Sequence, residues 1–225
     1  MIISWEFRYP AEDATMPLMN DQPPREGPRL RPLTRRDLTP EQAGVWSVVV
    51  NGRRGTGQPP ESLAGPFDAW LRRPAAGHPA AVLGERLRFE SSLPRDVLEL
   101  AVVTVGARWQ AQFEFWAHSR MASRHGIDPA VLEALREGRE PVLSSPVHQA
   151  AHRFVADLVT DGHVADDVYH SAVDALSEER VVELVMLVGY YSLVCFTLNA
   201  FRVPLPAGTE PVAFGRPHGP DRTES

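Results

Sequence analysis

Three side chains in the middle of the sequence have the types and spacing for proton transfer: Glu99, Glu114 and His118. Glu114 and His118 stand at i and i+4, which puts them one turn apart on a single helix face. Ala111 and Met121 share that face, and Trp109, Phe113 and Trp116 surround it with aromatic surface. A histidine and two carboxylates converging in an apolar pocket make a proton donor and acceptor set. Plainer readings exist for the same residues. His118 can be a core histidine bonded to Glu114, which then only orients the imidazole. Glu99 can be half of a structural ion pair with Arg95 or Arg108. Carboxylate and imidazole together also suit several divalent ions.

The elements that must position these residues read as helices. From Val97 to Val105 the chain is apolar nearly all round, with Glu99 and Thr104 as exceptions. A helix of that kind is buried, so Glu99 is expected in the core or facing a cavity. Pro94 opens this helix, Gly106 is expected to interrupt it, and a second helix is expected from about Trp109 to His125. Upstream, Thr39-Pro40-Glu41-Gln42 is a capping box with proline at the first helical position. Short helices are expected over 67–72 and 79–89. Downstream, Asp128-Pro129 and Ser145-Pro146 start two more, 165–176 holds another, and Ser177 is expected to cap a long apolar helix. Its most apolar stretch, residues 184–198, is shorter than the roughly 18 residues that suggest a membrane span. No segment alternates with period two between hairpin turns, so the fold class is all-α.

The chain of 225 residues suits one domain: an irregular extension over 1–27, the helical domain over 28–206 and an irregular tail over 207–225. Met1 to Tyr9 lacks the pattern of a signal peptide, and Met16 is an alternative start. With 29 acidic and 23 basic residues the formal net charge is −6, which argues against a nucleic-acid partner. The single cysteine, Cys195, excludes an intramolecular disulfide and fits a cytoplasmic location. It lies in the apolar helix and reads as an inert core thiol. His148 and His152, also one turn apart, read as a half-exposed helix face, and His125, His163 and His170 as surface residues. Arg53, Arg54, Gly55 and Gly57 fit no phosphate loop and read as a flexible connector.

The segment LPRDVLELAVVTVGARWQAQFEFWAHSRMASRHG, residues 93–126, resembles the carboxymuconolactone decarboxylase and alkylhydroperoxidase-D-like family. The Glu99-to-His118 spacing looks like that of the family's glutamate and histidine. Redox members carry a CxxC ahead of the histidine; here those places hold Ala111 and Glu114, so the string Gln112 to His118 is similar to a cysteine-free branch. Phe67 to Leu71, Leu87 to Ser92, Gly189 to Tyr191 and Leu198 to Pro206 extend the likeness over residues 28–214.

The resemblance implies an alkylhydroperoxidase-D-like helical bundle assembling as a homo-oligomer (trimer, hexamer or dimer), with no cofactor, no metal and no membrane partner. It implies a small-molecule substrate in a pocket walled by Trp109, Phe113, Trp116, Tyr190 and Asn199. The expected activity is that of a lyase or isomerase on a small carbonyl or lactone acid. His118 would hold an oxyanion, Glu99 or Glu114 would move the proton on carbon, and Arg108 or Arg120 would pair with a substrate carboxylate. Two further readings are a catalytically silent oligomeric scaffold and a peroxide-related activity. The second is disfavoured because no CxxC is present.

Overall fold

The structure, a computed structural model, describes residues 27–55 and 58–215; expectations for 1–26, 56–57 and 216–225 lie outside the described residues. Among the described residues nine α-helices follow in order: α1 (Pro40–Asn51), α2 (Phe67–Leu71), α3 (Pro74–Phe89), α4 (Arg95–Arg108), α5 (Gln112–Arg124), α6 (Pro129–Arg136), α7 (Pro146–Asp161), α8 (Asp166–Leu176) and α9 (Glu178–Phe201). Among the described residues the only β-type pairing is an isolated bridge, Thr34 to Ser62.

Helix α4 is the axle. Every residue from Val97 to Gly106 is buried, and the helix packs against α5, α6, α7 and α9. Val97, Leu98, Ala101, Val102 and Val105 enter a core shared with α7, α8 and α9. Leu100 and Val103 enter a second cluster with Phe115, Ile127, Val131 and Leu135. Burial of each Leu or Val contributes about 1.5–3 kcal/mol, so α4 ties the two clusters together. Its two interior polar residues are both satisfied. Thr104 donates its hydroxyl to the Leu100 carbonyl (2.8 Å), and Glu99 reaches across to α5.

The chain turns between α4 and α5 at Gln110, not at Gly106. The Ala111 amide donates to the Gly106 carbonyl (2.9 Å) and the Gln110 amide to the Ala107 carbonyl (3.0 Å). This is the paired-bond closure of a helix C-terminus with its next residue in the left-handed region. Gln110 holds that conformation at φ 49°. Gly106 stays inside the helix because α5 passes close by: a Cβ there would lie 3.3 Å from the Phe115 amide nitrogen. Gly106 lies seven residues after Glu99, nearly two turns along, so both face α5. The close approach at Gly106 therefore brings Glu99 within reach of His118.

Other boundaries shift for physical reasons. Helix α3 begins at Pro74 and carries Pro79 within its first two turns, so the start is earlier than the proline at 79 suggests. Ser177 does not cap α9 with its side chain; it takes φ 93° at the junction with α8. Thr39 and Ser145 cap as expected.

Helix α9 runs 24 residues, longer than its most apolar stretch implied. By length and composition alone it is apolar enough to cross a membrane, with a mean hydropathy of 2.0, yet 56% of that window is buried in its own chain. It leaves one outward stripe of Val182, Val185, Met186, Leu193 and Phe196. The segment after α9 wraps rather than splays. Gln112 and Val212 exchange two hydrogen bonds (both 2.7 Å), and Phe214 packs edge-on to Phe115.

Candidate functional site

His118, on α5, is 2% exposed and held from both sides. Its Nδ1 lies 2.6 Å from Glu99 Oε2 on α4, and its Nε2 lies 2.9 Å from Glu114 Oε1 one turn earlier on α5. Both carboxylates are themselves buried. A neutral imidazole has one N–H and can donate to one of them; the protonated ring donates to both. Burial is the largest influence on this imidazole and pulls its pKa down. The charge and hydrogen bond of Glu114, then those of Glu99, outweigh it, and the net direction is up. That direction favours the protonated ring, which can donate to both carboxylates at once. Glu114 also lies in the first turn of α5, where the helix dipole favours an acid.

A cavity of about 590 Å³ opens onto this group. Its wall includes Glu114, His118, Ala117 and Phe113 of α5 and Tyr190, Tyr191 and Val194 of α9. Glu99 is not on the wall; it stands behind His118. The Tyr191 ring meets the imidazole edge-on at 5.1 Å and Tyr190 at 5.3 Å. Burial pushes the Tyr190 hydroxyl up to about 12 and that of Tyr191 higher still, so both are neutral donors at physiological pH.

Of the residues expected in the pocket, the structure brings Phe113 and Tyr190 to the cavity and places three elsewhere. Trp109 packs on Phe196 (4.7 Å) and donates its indole N–H to Ser192 (3.1 Å). Trp116 stands behind Phe113 (5.8 Å). Asn199 donates to the Trp109 carbonyl (2.7 Å) and borders a separate hollow near Pro204 to Pro206. The arginines expected to meet a substrate, Arg108 and Arg120, lie over Trp109 and Trp116 and do not line the cavity. Arg53, Arg54 and Arg88 line it instead. The connector reading of Arg53 and Arg54 missed this, since nothing in local sequence shows that the turn after α1 folds back over the end of α3.

Of the second histidine pair, His148 is half-exposed as expected and His152 is not. His148 binds Asp96 (2.8 Å), and His152 is buried, its pKa lowered by that burial to about 4. Among the described residues no cluster of three or more His, Cys, Asp or Glu side chains has the arrangement of a metal site.

Tyr190 owes its place to Gly84 on α3. A Cβ there would stand 1.9 Å from the Tyr190 hydroxyl and 2.1 Å from its ring. The ring is wedged between Trp70 (6.1 Å) and Tyr191, so it has nowhere to retreat. Gly84→Ala is expected to destabilise by about 1–3 kcal/mol, the usual cost of overpacking, as a lowered urea midpoint. A midpoint unchanged in Gly84→Ala would show that Tyr190 is free to swing away.

Neither a family model nor a curated protein sequence matches the chain. Solved structures do. The debrominase Bmp8 superposes with a TM-score of 0.59 at 16% identity, covering 78% of this chain and 91% of that one. A cysteine-to-alanine variant of Bmp8 in complex with 2,3,4-tribromopyrrole matches equally, covering 90% of its length. An Agrobacterium tumefaciens protein of unknown function, described as a putative antioxidant defence protein AhpD, superposes with a TM-score of 0.56 at 15% identity, over 62% of this chain and 97% of that one. At such identity the likeness is one of fold. The chain has the all-helical AhpD-like architecture that the segment around His118 led us to expect, and enzymes are found on that architecture.

Proposed function

We propose that this protein is a cofactor-independent lyase or isomerase acting on a small carbonyl or lactone acid. The observation that carries the reading is the buried Glu99–His118–Glu114 chain, whose outer end, Glu114, meets an apolar cavity. Both imidazole nitrogens are engaged, which shifts the roles anticipated from sequence. Glu114 is the group that faces the reacting carbon. It accepts a proton from it, or returns one after His118 has passed its Nε2 proton across. Glu99 holds His118 in its charged form. In a decarboxylation the bond to CO₂ breaks, its electron pair passes to the adjacent carbonyl as an enolate, and the carbon is then protonated from Glu114. The neutral Tyr190 hydroxyl is the donor we assign to the enolate oxygen.

The test is a panel of small γ-lactone and β-keto acids, following CO₂ release and solvent deuterium uptake at carbon. Release or uptake that saturates with one of these acids is the expected result. Absence of both across the panel would sink the lyase and isomerase reading and bring the silent scaffold forward.

A thiol peroxidase mechanism has little support. Cys195 is fully buried on α9, does not line the cavity, and burial raises its thiol well above the ordinary value. It is expected to stay unreactive toward an aromatic disulfide reagent until the protein unfolds. Fast labelling of the native chain would reopen the redox reading.

We also propose self-association, now on a different basis. Helix α4 is covered within one chain, whereas the outward stripe of α9 is the apolar surface that a second copy would bury.

A further inference from the structure

The proton-transfer group occupies one part of the cavity wall; the part formed by α3 and the turn after α1 has a different character. Three guanidinium groups gather there on the ring of Phe89, with Arg53 5.1 Å, Arg88 5.5 Å and Arg54 5.7 Å from its centroid. Arg54 also lies over Phe67 at 5.2 Å. Elsewhere on the chain Arg72, Arg86, Arg136, Arg139 and Arg153 each hold a carboxylate. None of the three cavity arginines forms an ion pair among the described residues. Their side chains donate to neutral acceptors: the Phe89 carbonyl for Arg53 (2.9 Å), the Ala81 carbonyl for Arg54 (3.5 Å) and the Met121 sulfur for Arg88 (2.9 Å). Among the described residues, the one carboxylate on the cavity wall, Glu114, is already engaged by His118.

Three like charges around one ring repel, and no carboxylate of the described residues forms an ion pair with any of them. A guanidinium carries five N–H donors in a fork that fits a carboxylate with two parallel bonds. One such bond per arginine to a neutral acceptor leaves most of that capacity unused. The phenyl rings beneath supply a flat apolar bed, and the cavity is large enough for a ring-sized ligand.

We propose that Arg54 and Arg88, with Arg53 at the rim, form a carboxylate-binding subsite for a planar, unsaturated or aromatic monocarboxylate. The anion seats on the arginines, the flat body lies against Phe67 and Phe89, and the remainder of the molecule extends toward Glu114. This rests on the reading that the cavity is the substrate site, and it narrows the substrate class from small carbonyl or lactone acids in general to flat monocarboxylates. It also assigns specificity to the turn after α1 and the end of α3, outside the segment that carries the proton-transfer residues.

The test is calorimetric binding of benzoate and of its neutral analogue benzamide, which requires no turnover. Wild type is expected to bind benzoate at least about tenfold more tightly than benzamide. Arg54→Gln and Arg88→Gln should each lose about tenfold for benzoate while keeping benzamide affinity, which shows that the cavity is intact. Arg120→Gln, outside the cavity, should change nothing. Glu114→Gln should bind benzoate no more weakly than wild type, so the subsite stands or falls separately from the proton chemistry. Equal affinity for the two probes, no benzoate binding, or undiminished benzoate binding in the Arg54→Gln/Arg88→Gln double variant would each overturn the proposal.

Discussion

Glu114→Gln is expected to lower kcat by about 10²–10⁴-fold on any acid that the protein turns over, the range attributed to one positioned proton-transfer group. The amide keeps the shape of the side chain, and its oxygen still accepts from His118 Nε2, so the fold and KM should change little. What it removes is the ability to take a proton. Glu99→Gln provides the contrast. Glu99 does not reach the cavity, so it acts as a positioning residue through His118. Its charge helps to hold the imidazole's pKa up; without that charge His118 loses its proton at lower pH. The alkaline limb of the kcat profile should therefore move toward acid in Glu99→Gln, with a smaller loss at the optimum. Wild-type kcat in Glu114→Gln would remove that residue from the chemistry. A Glu99→Gln variant whose profile keeps its alkaline limb would break the relay from Glu99 to His118.

Much of this site was legible in the sequence, and the part that was not follows from how each signal arises. Glu114 and His118 share a face because i and i+4 always do on a helix. Glu99 was legible because it interrupts an otherwise apolar helix, where a lone carboxylate needs a partner. The break between the helices was misplaced because glycine usually signals a turn, yet Gly106 serves a close approach to Phe115 and the left-handed residue is Gln110. A sequence does not distinguish those two uses of glycine. Trp109 and Trp116 were expected on the wall because they flank the face of Glu114 and His118, yet their positions along α5 and its entry turn them toward α9 and behind Phe113. The cavity arginines left no trace in local pattern. They arrive by packing between α1 and α3, and only the tertiary arrangement shows Arg53, Arg54 and Arg88 around one ring. Helical spacing reads contacts within an element, and this cavity is built mostly of contacts between elements.

His118→Ala is expected to cost about 3–5 kcal/mol of stability at neutral pH, as well as the activity, because it strands two buried carboxylates. Glu99 is 3% exposed and stands behind His118, off the cavity wall, so its carboxylate loses its N–H donor where water does not reach. The pH dependence has a definite sign. In the folded chain the pKa of His118 is raised above its ordinary 6.5. The stability it contributes is therefore fully present below about pH 6.5 and is lost as pH rises through the folded-state value. The wild-type urea midpoint should accordingly be highest in mildly acidic buffer and fall on the alkaline side, a fall that His118→Ala removes at its source. A second background separates charge from packing. If the cost arises from stranded charge, His118→Ala should be much less damaging when introduced into a Glu99→Gln/Glu114→Gln chain, where both partners are neutral amides. An equal cost in both backgrounds, flat with pH, would mean that the imidazole fills space in the core and that its charge is not what joins α4 to α5.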